Sequence, residues 1–190
     1  MEVSNYGKTV IISKAQNHKQ KVKPNGFTLI ELLIVTVILG ILAVIGLRSF
    51  QSTQVKSRDA RRKEDLAAIS QALEAYYNDK GEYPSSNASG QIIGCTTEEP
   101  SACAWGQIFQ DDRGTFYMTQ LPEDPRSYNY FYVSDGSQYQ LYARLENTQD
   151  QSIPRNENEV PMSYSGTNCG IGVLCNYGIT STNSQLGDTV

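Results

Sequence analysis

The chain has 190 residues and a formal net charge of −4, which leaves room for one domain beyond an N-terminal segment. Its only histidine, His18, falls in the first 26 residues, so the remainder holds none to serve a serine or cysteine nucleophile. Residues 64 to 190 carry five basic and seventeen acidic residues, a net of −12, and a region that acidic lacks the basic face that nucleic acid requires.

Residues 1 to 26 are polar and basic, with Lys8, Lys14, Lys19, Lys21 and Lys23 against Glu2, and read as a leader. Residues 27 to 47, FTLIELLIVTVILGILAVIGL, follow as an apolar run whose sole charge is Glu31. A helix of that length rises ~32 Å, about the thickness of a bilayer's hydrocarbon core. An ionised side chain deep in that core costs ~2.5–3.5 kcal/mol, so Glu31 needs a partner or a task. An ordinary secretory signal is cut after its apolar segment and loses it. Residues 40 to 50 offer no good small-x-small site, so here the apolar segment is expected to stay.

The run Gly26-Phe27-Thr28-Leu29-Ile30-Glu31-Leu32-Leu33, behind a basic leader, resembles the class III signal of type IV prepilins and type II secretion pseudopilins. That resemblance covers about 55 residues, from Gly26 to the region of Gly81. It implies cleavage of the Gly26–Phe27 bond by a prepilin peptidase and N-methylation of the new terminus at Phe27. It also implies polymerisation through the N-terminal helix, with Glu31 of one subunit receiving the Phe27 amine of the next. The implied fold class is α+β: the pilin fold, a long N-terminal helix whose first half spans the membrane, packed on a small antiparallel sheet. Implied partners are other subunits of the same filament, the peptidase, membrane lipid, and an inner-membrane assembly platform with its ATPase. The subunit would sit as a single-pass membrane protein with its head outside the cytoplasm. After assembly it would form a cell-surface or periplasm-spanning filament. The leading expectation is a type IV pilus-like filament subunit. The alternatives are a type II secretion major pseudopilin, or a minor pilin with an adhesive or ligand-binding head.

Beyond the apolar run, residues 48 to 82 are expected to continue the helix as an outer, amphipathic half. No proline occurs between Pro24 and Pro84. Leu66, Ile69, Leu73 and Tyr76 recur at steps of three and four as a narrow apolar stripe. Gly81 is the expected C-terminal cap, and Pro84 bars continuation. Between the two halves lies a basic neck, Arg48, Lys56, Arg58, Arg61, Arg62 and Lys63 against Asp59. These bases are expected to face lipid phosphates at the outer surface, or else acidic groups of neighbouring subunits. Many members of the resembled family carry proline where this chain has Arg48, so Gly46 becomes the expected weak point of the helix.

Residues 83 to 190 form the expected exported head. Tyr128 to Val133 and Gln138 to Leu145, joined by Ser134-Asp135-Gly136-Ser137, make the clearest hairpin, since Asp-Gly suits a tight turn. Alternation of Tyr139, Leu141, Ala143 and Leu145 places one strand face on the helical stripe. Thr115 to Thr119 is the expected third strand. Residues 147 to 190, polar and rich in Gly, Asn, Ser and Thr, are expected to be loop.

Four cysteines, Cys95, Cys103, Cys169 and Cys175, all follow the apolar run at spacings unlike structural zinc sites. They allow three pairings. Short loops make Cys95–Cys103 and Cys169–Cys175 the easiest to close, in an oxidising compartment, with free thiols as the alternative. No cofactor is predicted. Asp124, Asp135 and Asp150 are weak candidates for calcium, as loop acids able to converge on a hard cation, although no EF-hand spacing exists. Asp111-Asp112 and Glu123-Asp124 pair carboxylates, as glycoside chemistry would need. Adjacent acids in polar loops are ordinarily solvated surface, and no catalysis is expected.

Overall fold

In a computed structural model, residues 26–95 and 101–187 are described, apart from the side chains of residues 45–49. Two compact units divide the chain, one ending at Val44 and the other running from Ile45 to the C-terminus. The helix α1, Leu29–Lys80, contributes to both. The leader expected at residues 1 to 26 lies outside the described residues except for Gly26.

In the first unit α1 opens with Thr28, whose carbonyl accepts the Leu32 amide at 3.2 Å. Every large apolar side chain from Leu29 to Val44 is at least 50% exposed. Among the described residues no helix is long and apolar enough to cross a membrane. The expected membrane segment, 27 to 47, runs three residues past Val44 into positions whose side chains lie outside the description.

The second unit builds its core on the expected stripe. Leu66, Ile69 and Leu73 are fully buried, with Ala72 beside them and Tyr76 packed at the margin. Gly81, at φ 78°, ends the helix and donates to the Tyr77 carbonyl at 2.8 Å, as its lack of a Cβ allows. Against the stripe lies a three-stranded antiparallel sheet in the order β3-β4-β7, made of Phe131–Ser134, Tyr139–Ala143 and Tyr177–Thr180. The hairpin β3–β4 forms where the sequence places it, pairing Ser134 with Tyr139 and Phe131 with Tyr142. Asp135 locks its turn by accepting the Ser137 and Gln138 amides at 2.8 and 2.9 Å, with Gly136 at φ 88°.

Three departures from the sequence reading matter. Residues 115 to 119 do not join this sheet. Phe116–Met118 is β2, paired with β1, Phe109–Gln110, in a separate two-stranded ribbon. The third strand of the sheet is instead β7, inside the segment expected to be loop. The central strand β4 is also buried on both faces. Tyr139, Leu141 and Ala143 face the helix, while Tyr142, with Phe131, packs on Cys169, Cys175, Tyr164 and Leu186. The C-terminal region therefore adds a covering layer to the sheet and supplies a short hairpin of β5, Asn168–Gly170, and β6, Val173–Leu174.

Candidate functional site

The N-terminal junction combines an open backbone with a satisfied carboxylate. Phe27 is exposed, and no atom approaches within 4 Å of the position a Cβ would take on Gly26. Glu31 is at the third helical position, from which its Oε2 reaches back to Thr28. It accepts the Thr28 backbone amide at 2.9 Å and the Thr28 hydroxyl at 2.8 Å, while the Glu31 amide donates to Thr28 Oγ1 at 3.3 Å. This is a reciprocal capping box, and it pairs helix-end groups that would otherwise lack partners. The sequence reading missed Thr28. The signal was present as threonine followed three residues later by glutamate, ahead of an apolar run.

In the second unit Arg58, Arg62 and Lys63 of the basic neck turn inward, against expectation, while Lys56 and Arg61 are exposed and the Arg48 side chain lies outside the described residues. Arg62 is wholly buried, and its guanidinium binds Asp124 in a bidentate fork at 2.5 and 3.0 Å. It also donates to Asp59 at 2.7 Å and to Glu146 at 2.9 Å. Arg58 grips the same Glu146 with a second fork at 2.7 and 2.6 Å, and Arg126 reaches it at 3.2 Å. Asp59 in turn accepts the backbone amides of Glu146 and Asn147 at 2.9 and 2.7 Å. Lys63 binds Asp150 at 2.7 Å and Ser152 at 3.0 Å. The helix is thus stitched by ion pairs to the loops on either side of the β3–β4 hairpin. A buried guanidinium is tolerable only because each of its three nitrogens donates to a carboxylate. Hydrogen bonds from Arg58, opposed in part by burial, hold the Glu146 carboxyl down at about 2.

The calcium candidates are not brought together. Asp124 belongs to Arg62, Asp150 to Lys63, and Asp135 to its own hairpin turn. Among the described residues no group of three or more metal-ligating side chains could hold an ion. Where a cation is needed near Asp124 and Asp150, the chain supplies arginine and lysine. The paired acids behave likewise. Asp111 and Asp112 both meet Lys80, at 2.8 and 3.0 Å, and that ammonium holds the Asp111 carboxyl well below the usual range.

All four cysteines are paired, Cys95 with Cys103 and Cys169 with Cys175, at Cα separations of 5.3 and 5.2 Å. The first bridge braces the loop that carries Trp105. The second pins the β5–β6 hairpin onto the outer face of the sheet.

Comparison with known proteins matches both ends of this arrangement. Residues 22–47 fit the prokaryotic N-terminal methylation motif, and residues 50–153 fit the family of type II secretion system protein G. A type II secretion system core protein G from Aeromonas hydrophila is 31% identical over 117 residues, which cover 62% of this chain and 78% of that protein. The protein of the same description from Pseudomonas aeruginosa is 32% identical over 127 residues, covering 65% and 84%. A fimbrial protein, EcpC, from Eikenella corrodens is 42% identical over a shorter stretch of 67 residues, 35% of this chain and 44% of its own. No solved structure matches. With more than half its length fitted by that one model, and the methylation motif in front of it, the chain belongs to the type II secretion system protein G family.

Proposed function

We propose that this protein is a pseudopilin, the repeating structural subunit of a secretion filament. The precursor sits in the membrane by the segment beginning at Phe27, with its head outside the cytoplasm. A prepilin peptidase cuts the Gly26–Phe27 bond and methylates the Phe27 amine. An inner-membrane platform driven by an ATPase then draws the subunit out of the lipid into a polymer. The fold in this reading is that of pilins, a helix laid across a small antiparallel sheet. The role is structural, with no catalysis assigned to the chain.

One observation carries the reading. From Leu29 to Val44 the large apolar side chains of α1 have no cover within their own unit. Such a surface is stable only in lipid or against other apolar helices, so extraction from a bilayer requires that neighbouring copies replace the lipid. Glu31 gives the exchange a register. Cleavage frees an amine at Phe27 whose ordinary pKa of ~8 keeps it mostly protonated at neutral pH. In low dielectric the attraction between that amine and a neighbour's Glu31 offsets the desolvation of both.

Mass spectrometry of the native N-terminus tests the processing step, and a mature species beginning at N-methylated Phe27 is expected. Glu31→Ala is expected to leave insertion and cleavage intact while abolishing polymers, read by shearing and electron microscopy. Filaments of normal yield from that variant would sink the reading, as would a natural product that keeps its leader.

A further inference from the structure

A groove of 380 Å³ opens on the second unit between its two disulfide-braced loops, lined by Gln91, Trp105, Glu123, Arg126, Tyr128 and Asn129 among others. Its walls are fixed before anything binds. Trp105 rides on a turn closed by the Gln107 amide donating to the Ala104 carbonyl at 3.1 Å. That turn is clamped to Leu121 by two backbone hydrogen bonds, at 2.8 and 2.7 Å. The indole stands edge-on to the buried Tyr130, with ring centroids 5.6 Å apart. On the far wall, Tyr128 is held by Arg62, 5.4 Å from its ring centroid, and the Asn129 amide donates to the Cys169 carbonyl at 2.8 Å.

Glu123 gives the groove its charge. Its side chain lies across Gly106, so closely that a Cβ there would collide with the carboxylate, which places that carboxylate beside the Trp105 turn. Asp124 is taken up by Arg62, and Arg126 is drawn towards Glu146. Among the described residues Glu123 has no ion-pair or hydrogen-bond partner. An unpaired carboxylate next to a rigid indole, in a preformed cleft, is a receptor for a cationic side chain.

The chain itself holds such cations. Of the neck bases with described side chains, Arg58, Arg62 and Lys63 pair within the subunit, while Lys56 and Arg61 are exposed and make no hydrogen bond or ion pair among the described residues. Residues 45 to 190, the span of the second unit, carry eleven basic and eighteen acidic residues, a net of −7, so heads stacked in a filament repel unless a basic group enters each contact. Screening over ~8 Å at physiological salt confines both this repulsion and its relief to groups in or near contact.

We propose that this groove receives Lys56 or Arg61 from the neck of a second copy of the chain, setting the contact between one head and its neighbour in the filament. The proposal rests on the filament reading above. The test uses the full chain in cells carrying its assembly machinery, with processed subunit quantified beside sheared filaments. Absence of filaments from the unaltered chain defeats the filament reading itself, and the remaining outcomes bear on the groove alone. Glu123→Lys is expected to lower filament yield about tenfold or more at unchanged processed-subunit level, because it sets like charges in contact. Adding Lys56→Glu or Arg61→Glu to that variant is expected to restore filaments. Adding Arg113→Glu, another base without an ion pair among the described residues, is not.

Because Trp105 is the sole tryptophan, its fluorescence reports the groove directly and is expected to shift to the blue on polymerisation. Normal filament yield from Glu123→Lys overturns the proposal. So does rescue by Arg113→Glu alone, or an unmoved Trp105 emission. Normal filaments combined with lost export would assign the groove to a different partner, and would equally overturn it.

Discussion

Arg62 makes four hydrogen bonds to Asp124, Asp59 and Glu146; the Glu146 carboxylate also accepts from Arg58 and Arg126, and that of Asp59 from two backbone amides. Three guanidinium groups therefore face three carboxylates in one partly buried knot. Removing one buried member leaves its partners charged and unpaired, which costs ~3–5 kcal/mol, against under ~1 kcal/mol for an exposed pair. Arg62→Ala is accordingly expected to lower the unfolding free energy of the detergent-solubilised chain by about 3–5 kcal/mol. Loss of the exposed Asp112 partner of Lys80 should change it far less, since solvent screens that pair. Equal effects from the two would remove Arg62 from its role as anchor.

The same knot sets an acid limit. Glu146 is held down at about 2 from an ordinary 4.5, so its contribution is fully present above 4.5 and is lost as pH falls towards 2. Denaturation midpoints should fall across that window, and Arg58→Ala should flatten the fall. A profile unchanged by Arg58→Ala would contradict this.

At the scale of elements, what the sequence showed and what it hid divide along local versus borrowed order. The helical stripe of Leu66, Ile69 and Leu73 carries its own period, and the Asp-Gly turn fixes the β3–β4 hairpin, so both stand where the pattern puts them. The strand β7 has four residues, Tyr-Gly-Ile-Thr, set among polar residues, and it is ordered by pairing with β4 from Gln140 to Ala143. No local pattern announces a strand that tertiary pairing creates. Nor does composition reveal that Arg58, Arg62 and Lys63 turn inward, because their acids, Asp59 apart, sit 62 to 88 residues away in sequence. The disulfides were legible because short loops close easily.

Gly90 shows how tightly the edge of β3 is covered. At φ 75° it accepts the Tyr132 amide at 2.9 Å, and a Cβ there would stand 2.3 Å from the Phe131 ring. Gly90→Ala thus meets both an unfavourable backbone conformation and a collision. It is expected to lower the melting temperature more than Gly114→Ala, which shares a positive φ of 80° but has open space around it. Equal losses would show that backbone strain alone decides.

Taken as a whole, the molecule depends on a tail that the family match does not include. The match to protein G ends at residue 153, yet β7 and both cysteines of the second bridge lie beyond it. Without that tail, β4 becomes an open edge, and Tyr142 and Phe131 lose the cover of Cys169, Cys175, Tyr164 and Leu186. Exposed apolar edge strands pair with other chains, so truncation after Ile153 is expected to give an aggregated or degraded product rather than a smaller folded head. Cys175→Ser makes a gentler cut. It opens a loop of a few residues, whose closure is worth ~2–3 kcal/mol in the chain-entropy account, while the β4–β7 pairing persists. The graded result, loss of folding on truncation but only a lowered melting temperature with Cys175→Ser, is the expected signature of a tail that completes the sheet. A truncated chain that accumulates as a soluble monomer with native melting would instead make residues 154 to 190 an appendage, leaving the two-stranded β3–β4 hairpin and the helix sufficient on their own.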